Sequence, residues 1–228
     1  MRRRLATVCA CLLASTALGA CGATGDAADG RDVSHAPAQR ITPTPIERAL
    51  ATMRHVYDYE VNGARVHSDL RFIGADRIFL EDLARHEYGR AQARAHYLMV
   101  ANPIRHITRI ALYLRGRQLV NAVWNANGSF VAAPQREPLR FAGQRLGTLA
   151  LCVQDIVGDI KLAKAFTGAY AVVRGSSGQM RTSLPAAADV PLPMHGTVTI
   201  AGVSYAVGAL HLRGWGGEAI TFWLLLPS

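Results

Sequence analysis

A chain of 228 residues, half of them hydrophobic, is long enough for one domain with an adequate core. Its formal charge of +9 comes from arginines apart from Lys161 and Lys164, and beyond Arg2 to Arg4 these are scattered, with no basic run and no aromatics interleaved among them. That pattern excludes a nucleic-acid binder and supports at most a mild attraction to anionic headgroups or anionic ligands.

Residues 1–20 read as an export signal. Met1 to Arg4 is a positive start, and Leu5 to Ala17 is an apolar run too short to span a bilayer comfortably. Leu18-Gly19-Ala20-Cys21 resembles the lipobox of bacterial lipoproteins, in which Cys21 would be acylated and become the mature N-terminus. The other reading of the same residues is an ordinary secretory signal cut after small residues. Acyl chains at ~0.8 kcal/mol per buried CH2 would anchor the protein durably to the membrane. Loss of Arg2, Arg3 and Arg4 with the signal takes the charge from +9 to +6. Of the four cysteines, Cys9 and Cys11 leave with the signal and Cys21 takes the lipid. Cys152 is then alone inside an apolar strand, so no intramolecular disulfide forms and a buried, inert thiol is expected.

Residues 21–43 are rich in Gly, Ala, Asp and Pro and read as a tether, able to reach roughly 75 Å at about 3.4 Å per residue. The domain proper is expected over 44–228. Thr44-Pro45-Ile46-Glu47 is a capping box with proline at the first helical position, and Ile46, Leu50, Met53 and Tyr57 form the stripe of the helix it starts. A second helix is expected from about Asp76 to Ala101, with Leu80, Leu83, Ala84, Tyr88, Ala91, Ala95 and Leu98 on one face.

From His106 the apolar period becomes two. Ile107 to Leu114 and Gln118 to Asn125 form a hairpin across Arg115-Gly116, and Asn127-Gly128 is a turn before Ser129 to Ala132. Ala133 to Gly143, with Pro134 and Pro138, reads as a loop. The unit that organises the chain runs from Gly147 to Arg174. Thr148 to Val153 and Ala169 to Val173 are strands, and Gln154 to Phe166 between them is a helix with a stripe of Ile156, Ile160, Ala163 and Phe166, stopped by Gly168. A turn at Ser176-Ser177-Gly178, a strand from Gln179 to Ser183 and a proline-broken loop to Pro193 follow. Gly196 to Ile200 and Val203 to Leu212 pair across Ala201-Gly202, and Glu218 to Leu226 is the last strand. The fold class is therefore α+β: N-terminal helices followed by an antiparallel sheet with one inserted helix.

That order resembles extracytoplasmic PAS-like, or Cache, domains. His106-Ile107-Thr108-Arg109-Ile110 opens the sheet as in single-Cache domains of secreted and membrane-bound bacterial sensors, and Phe130-Val131-Ala132-Ala133-Pro134 resembles the strand leading into their ligand-side loop. Leu146-Gly147, Val153-Gln154-Asp155 and Gly158 resemble a strand-to-helix motif commonly written V-Q-D-D-x-G-Y, with Ile156 at the second aspartate and Asp159 at the tyrosine. The resemblance implies a pocket between the sheet and the 133–143 segment. Arg109, Tyr113, Trp124, Arg140, Gln154, Asp155, Tyr170 and Tyr205 are its candidate lining, the two arginines suiting a carboxylate or phosphate.

Enzyme motifs are absent: no Gly-x-Ser-x-Gly elbow, no phosphate-cradling loop and no His-Glu-x-x-His, since His86-Glu87 is followed by Arg90. No histidine lies at a ligand spacing from another metal-binding residue, and no cofactor is called for. Asp155 and Asp159 share a helix face as an acid–base pair would, but a helix cap (Asp155) and a solvated carboxylate beside Lys161 or Lys164 (Asp159) is the simpler reading. The expected function is a membrane-anchored sensor or binding module for a small, anionic or neutral metabolite. With no membrane-crossing helix or output module after Ser228, it would act through a membrane-protein partner. The competing reading is a ligand-free envelope scaffold. Whether two copies pair through the N-terminal helices is left open.

Overall fold

The computed structural model describes residues 42–124 and 130–228. The expected signal, the expected lipidation at Cys21, the expected tether and the expected Asn127-Gly128 turn lie outside those residues. Four helices come first: α1 (Pro45–Asn62), α2 (Ala64–Gly74), α3 (Arg77–Ala84) and α4 (Tyr88–Ala101). Strands β1 (Arg109–Leu114), β2 (Arg117–Val123), β3 (Gln135–Phe141) and β4 (Gln144–Cys152) follow, then α5 (Ile156–Thr167). The chain ends in β5 (Tyr170–Gly175), β6 (Met180–Thr182), β7 (His195–Ile200), β8 (Val203–Arg213) and β9 (Ala219–Pro227).

The α+β class is as expected, but the strands form two antiparallel sheets rather than one. Their orders are β2-β1-β4-β3 and β6-β5-β9-β8-β7. In each, an opening hairpin is joined at its first strand by the last strand of the set. β1 and β4 are buried on both faces: Ile110, Leu112, Leu149 and Leu151 pack beneath α2, α3 and α4. The alternate residues Ala111, Ala150 and Cys152 point the other way, into a core shared with α1, α5 and the inner face of the second sheet. Two-sided burial is why Thr148 to Val153 reads as a continuous apolar run. Cys152 is 3% exposed, so the thiol is buried as expected, and burial pushes its pKa up to about 12.

Local chemistry accounts for the elements. The Thr44–Glu47 capping box is formed on both sides, and Met53 and Tyr57 are buried. Asp155 caps α5 by accepting from the Gly158 amide at 2.7 Å, and Gly168 ends it in the left-handed conformation at φ 72°. Three hairpins turn on a residue–glycine pair with both φ angles positive: Arg115-Gly116, Ala142-Gly143 and Ala201-Gly202.

Several expectations are corrected. The single helix over 76–101 is two, α3 and α4. His86, at φ 62°, breaks it: its amide donates to the Leu83 carbonyl and that of Glu87 to Asp82, a Schellman motif with histidine in the place usually held by glycine. α2 was not expected; it follows Gly63, which is extended and offers no side-chain cap. Residues 133–143 are not a pocket loop but contain β3, an edge strand in register with β4 through Pro138 opposite Thr148. An edge strand tolerates proline because one side of it is unpaired. On α5 the buried face is Ile156, Asp159, Ile160 and Ala163, while Phe166 is 62% exposed. Asp159 is thus not a solvated carboxylate beside Lys161 or Lys164; it is 2% exposed.

Candidate binding cleft

Four segments, from α4, the approach to β1, the end of β2 and the start of α5, enclose an open cleft of about 480 Å³. The C-terminal turn of α4 and the bend after it supply Met99 and Pro103. His106 and Thr108 come from the approach to β1, Trp124 from the end of β2, and Gln154, Asp155, Gly158 and Lys161 from the β4–α5 connection and the start of α5.

Backbone bonds fix the frame. Thr108 donates from its amide at 2.8 Å and from its hydroxyl at 3.0 Å to the Cys152 carbonyl, and the Trp124 amide donates to the Thr108 carbonyl at 3.0 Å. The Ile156 amide donates to the Phe130 carbonyl at 3.1 Å, which pins the start of α5. The terminal amide of Gln154 lies over Gly158, so close that a Cβ there would sit 2.6 Å from it. That contact gives the Gln154/Gly158 spacing a physical reason: glycine leaves room for the amide over the first turn. His106 takes a left-handed backbone at φ 51° and is exposed along the cleft. Trp124 keeps 38% of its surface exposed. Lys161 is exposed and forms no ion pair among the described residues. The cleft therefore combines a half-open aromatic wall, a free ammonium beside the positive end of α5, and an amide held in place. Asp155 already spends one oxygen on the cap, which suits it to orientation rather than proton transfer.

Three of the eight sequence candidates meet here: Trp124, Gln154 and Asp155. The others are dispersed. Arg109 donates to Asn121 at 2.9 Å and stacks on Trp215 at 4.4 Å, with burial drawing its pKa below the ordinary arginine value. Tyr113 donates to Gln118 at 3.0 Å. Arg140, on β3, borders a separate hollow of about 330 Å³ against α2. Tyr170 and Tyr205 pack edge to face, centroids 6.2 Å apart, on the second sheet. His106 and Lys161 were not singled out as lining residues. Nothing local marks them, because the cleft is assembled from segments that are separate in the chain, His106 and Lys161 lying 55 residues apart. Among the described residues no group of three metal-binding side chains converges, and no helix is long and apolar enough to cross a membrane.

No protein-family model matches the chain, and neither does any curated protein. Solved structures do. The periplasmic domain of Vibrio cholerae LuxQ aligns with 79% of this chain and 99% of its own at 10% identity, with a TM-score of 0.52. The ligand-binding domain of the Pseudomonas fluorescens chemoreceptor CtaA in complex with L-alanine covers 79% of this chain and 96% of its own at 11% identity, TM-score 0.38. That of Campylobacter jejuni Tlp3 with L-norvaline covers 78% and 92% at 8% identity, TM-score 0.32. The fold is the PAS-like, or Cache-like, α+β fold that the chain shares with the LuxQ periplasmic domain.

Proposed function

We propose that this chain is an extracytoplasmic, lipid-anchored Cache-like module that binds a small metabolite in the cleft between α4, β1 and α5 and acts through a membrane-protein partner. The observation that carries the reading is the convergence of Trp124, Gln154 and Asp155 with Lys161 and His106 around one open cavity. A ligand with an anionic group would set it on Lys161 and the start of α5 and lay its apolar part on Trp124. Export and acylation of Cys21 rest on the leader sequence; replacing Cys21 with serine should move the protein from the membrane fraction to the soluble one. Retention of Cys21→Ser on membranes would argue against the anchor.

One observation favours the scaffold reading. The face of the first sheet beneath α2, α3 and α4 is filled by its own side chains, with Ile110, Leu112 and Leu151 at 0% exposure, so the sheet has no pocket on that side. A thermal-shift screen of the full chain against amino acids, small carboxylates and polyamines separates the two. Ligand at a hundred times its dissociation constant should add about 2.7 kcal/mol and raise Tm by roughly 5–10 °C. The rise should vanish in Trp124→Ala and Lys161→Met. A flat screen would transfer the argument to the scaffold.

A further inference from the structure

One charged group in the interior is not used by the cleft. Asp159, in the first turns of α5, points away from the cleft into the core shared by both sheets, 2% exposed, and neither of its carboxylate oxygens has a hydrogen-bond partner. An ionised carboxylate buried without a partner is among the costliest arrangements a fold can hold, whereas a protonated one is far cheaper. The groups that face Asp159 are Glu60 and Tyr57 from α1, Asp155 from the start of its own helix and Cys152 from β4. No cation from β5 or β6, which also pack on α5, offsets it among the described residues. Tyr57 cannot relieve it either, because its hydroxyl is spent on the Arg213 carbonyl. Arg65 and His106 act on Glu60 rather than on Asp159.

We propose that Asp159 is a proton-operated latch between α1 and α5: neutral, it seats α5 against α1; ionised, it loosens that seam. Burial first, then the charges of Glu60 and Asp155, push its pKa up to about 8. The proton is held more tightly in the folded chain than in the unfolded one, where an aspartate titrates near pH ~3.9. Its stabilising contribution is therefore complete below about pH 4, erodes as pH rises and is gone above about 8. The seam joins α5, whose other side carries Gly158 and Lys161 of the cleft, to the first helix of the domain. Proton loss outside the neutral range would thus reach the N-terminal end of the fold, whether or not the cleft holds a ligand.

The test is the Tm of the full chain between pH 6 and pH 9, in wild type and in Asp159→Asn, together with amide exchange in α1 and α5 corrected for its intrinsic rise with pH. Wild type should lose roughly 5–10 °C over that range. Asp159→Asn should lose little, and its α5 exchange should stay flat where that of wild type rises. Equal pH dependence in the two proteins would overturn the proposal. Should Asp159→Asn not fold, Glu60→Gln decides: with one negative neighbour removed, the fall in Tm should level off at a lower pH. A fall ending at the same pH as in wild type would overturn the latch. None of these readouts requires a ligand, so they stand or fall separately from the cleft.

Discussion

The first sheet and the second share a wiring in which the last strand returns beside the first, yet they are covered by different means. On the first, three helices lie over the large residues of β1 and β4. On the second, the outer face formed by Val172, Val207, Trp223 and Leu225 is roofed by an irregular strap carrying Leu184, Ala187, Val190 and Leu192. Helices cover a sheet through continuous apolar stripes, and their own backbone bonds are satisfied internally. A strap has to be pinned from below. Here Arg174 donates to the carbonyls of Ala188 at 2.8 Å and Val190 at 2.9 Å while stacking on Trp223, whose indole donates to the Pro193 carbonyl at 3.1 Å. The contrast teaches that shared wiring does not set where a ligand can enter. The covering does, and the open cleft lies at the end of the helical cover, where α4 gives way to β1.

That contrast can be broken in graded steps. The largest effect should come from the helix-covered face: Leu151→Ala should cost about 2–5 kcal/mol in urea unfolding, since nothing there can collapse into the space. Arg174→Ala should cost about 1–3 kcal/mol and, more tellingly, open residues 184–193 to limited proteolysis while α2 to α4 remain protected. Asp155→Ala should cost about 1 kcal/mol through loss of the α5 cap. The smallest change is Gly158→Ala, within about 1 kcal/mol in either direction: helix propensity improves while the Gln154 amide is displaced. Its effect should appear instead as several-fold weaker binding of any ligand of the cleft.

How much of this was legible in the sequence follows from how local each signal is. The β4–α5–β5 unit could be read closely because Asp155 and Gly168 punctuate it, and two of the three residue–glycine turns were recognised from the turn alone. The third, Ala142-Gly143, was hidden because Pro138 made its first strand look like a loop, and only pairing at a sheet edge explains that proline. His86 gives no glycine signal for the break between α3 and α4, and Gly63 gives no cap for α2. Asp159 was misread because carboxylates on helices face water unless tertiary packing turns them inward, and α1, which does so, is about a hundred residues earlier. Division into two sheets is equally non-local. Of the Val153-Gln154-Asp155 and Gly158 spacing, Gln154, Asp155 and Gly158 line the cleft, whereas Arg109 is occupied by Trp215 and Asn121, partners that no local pattern reveals.

The central claim, that the cleft is a binding site, is tested most directly by tryptophan fluorescence during titration with a ligand from the thermal-shift screen. Trp215 and Trp223 are 9% and 8% exposed and Trp124 is 38% exposed, so Trp124 is the reporter at the cleft wall. The account predicts a saturable emission change in wild type that disappears in Trp124→Phe. A change of the same size in Trp124→Phe, or none in wild type despite a raised Tm, would place the ligand elsewhere and contradict it.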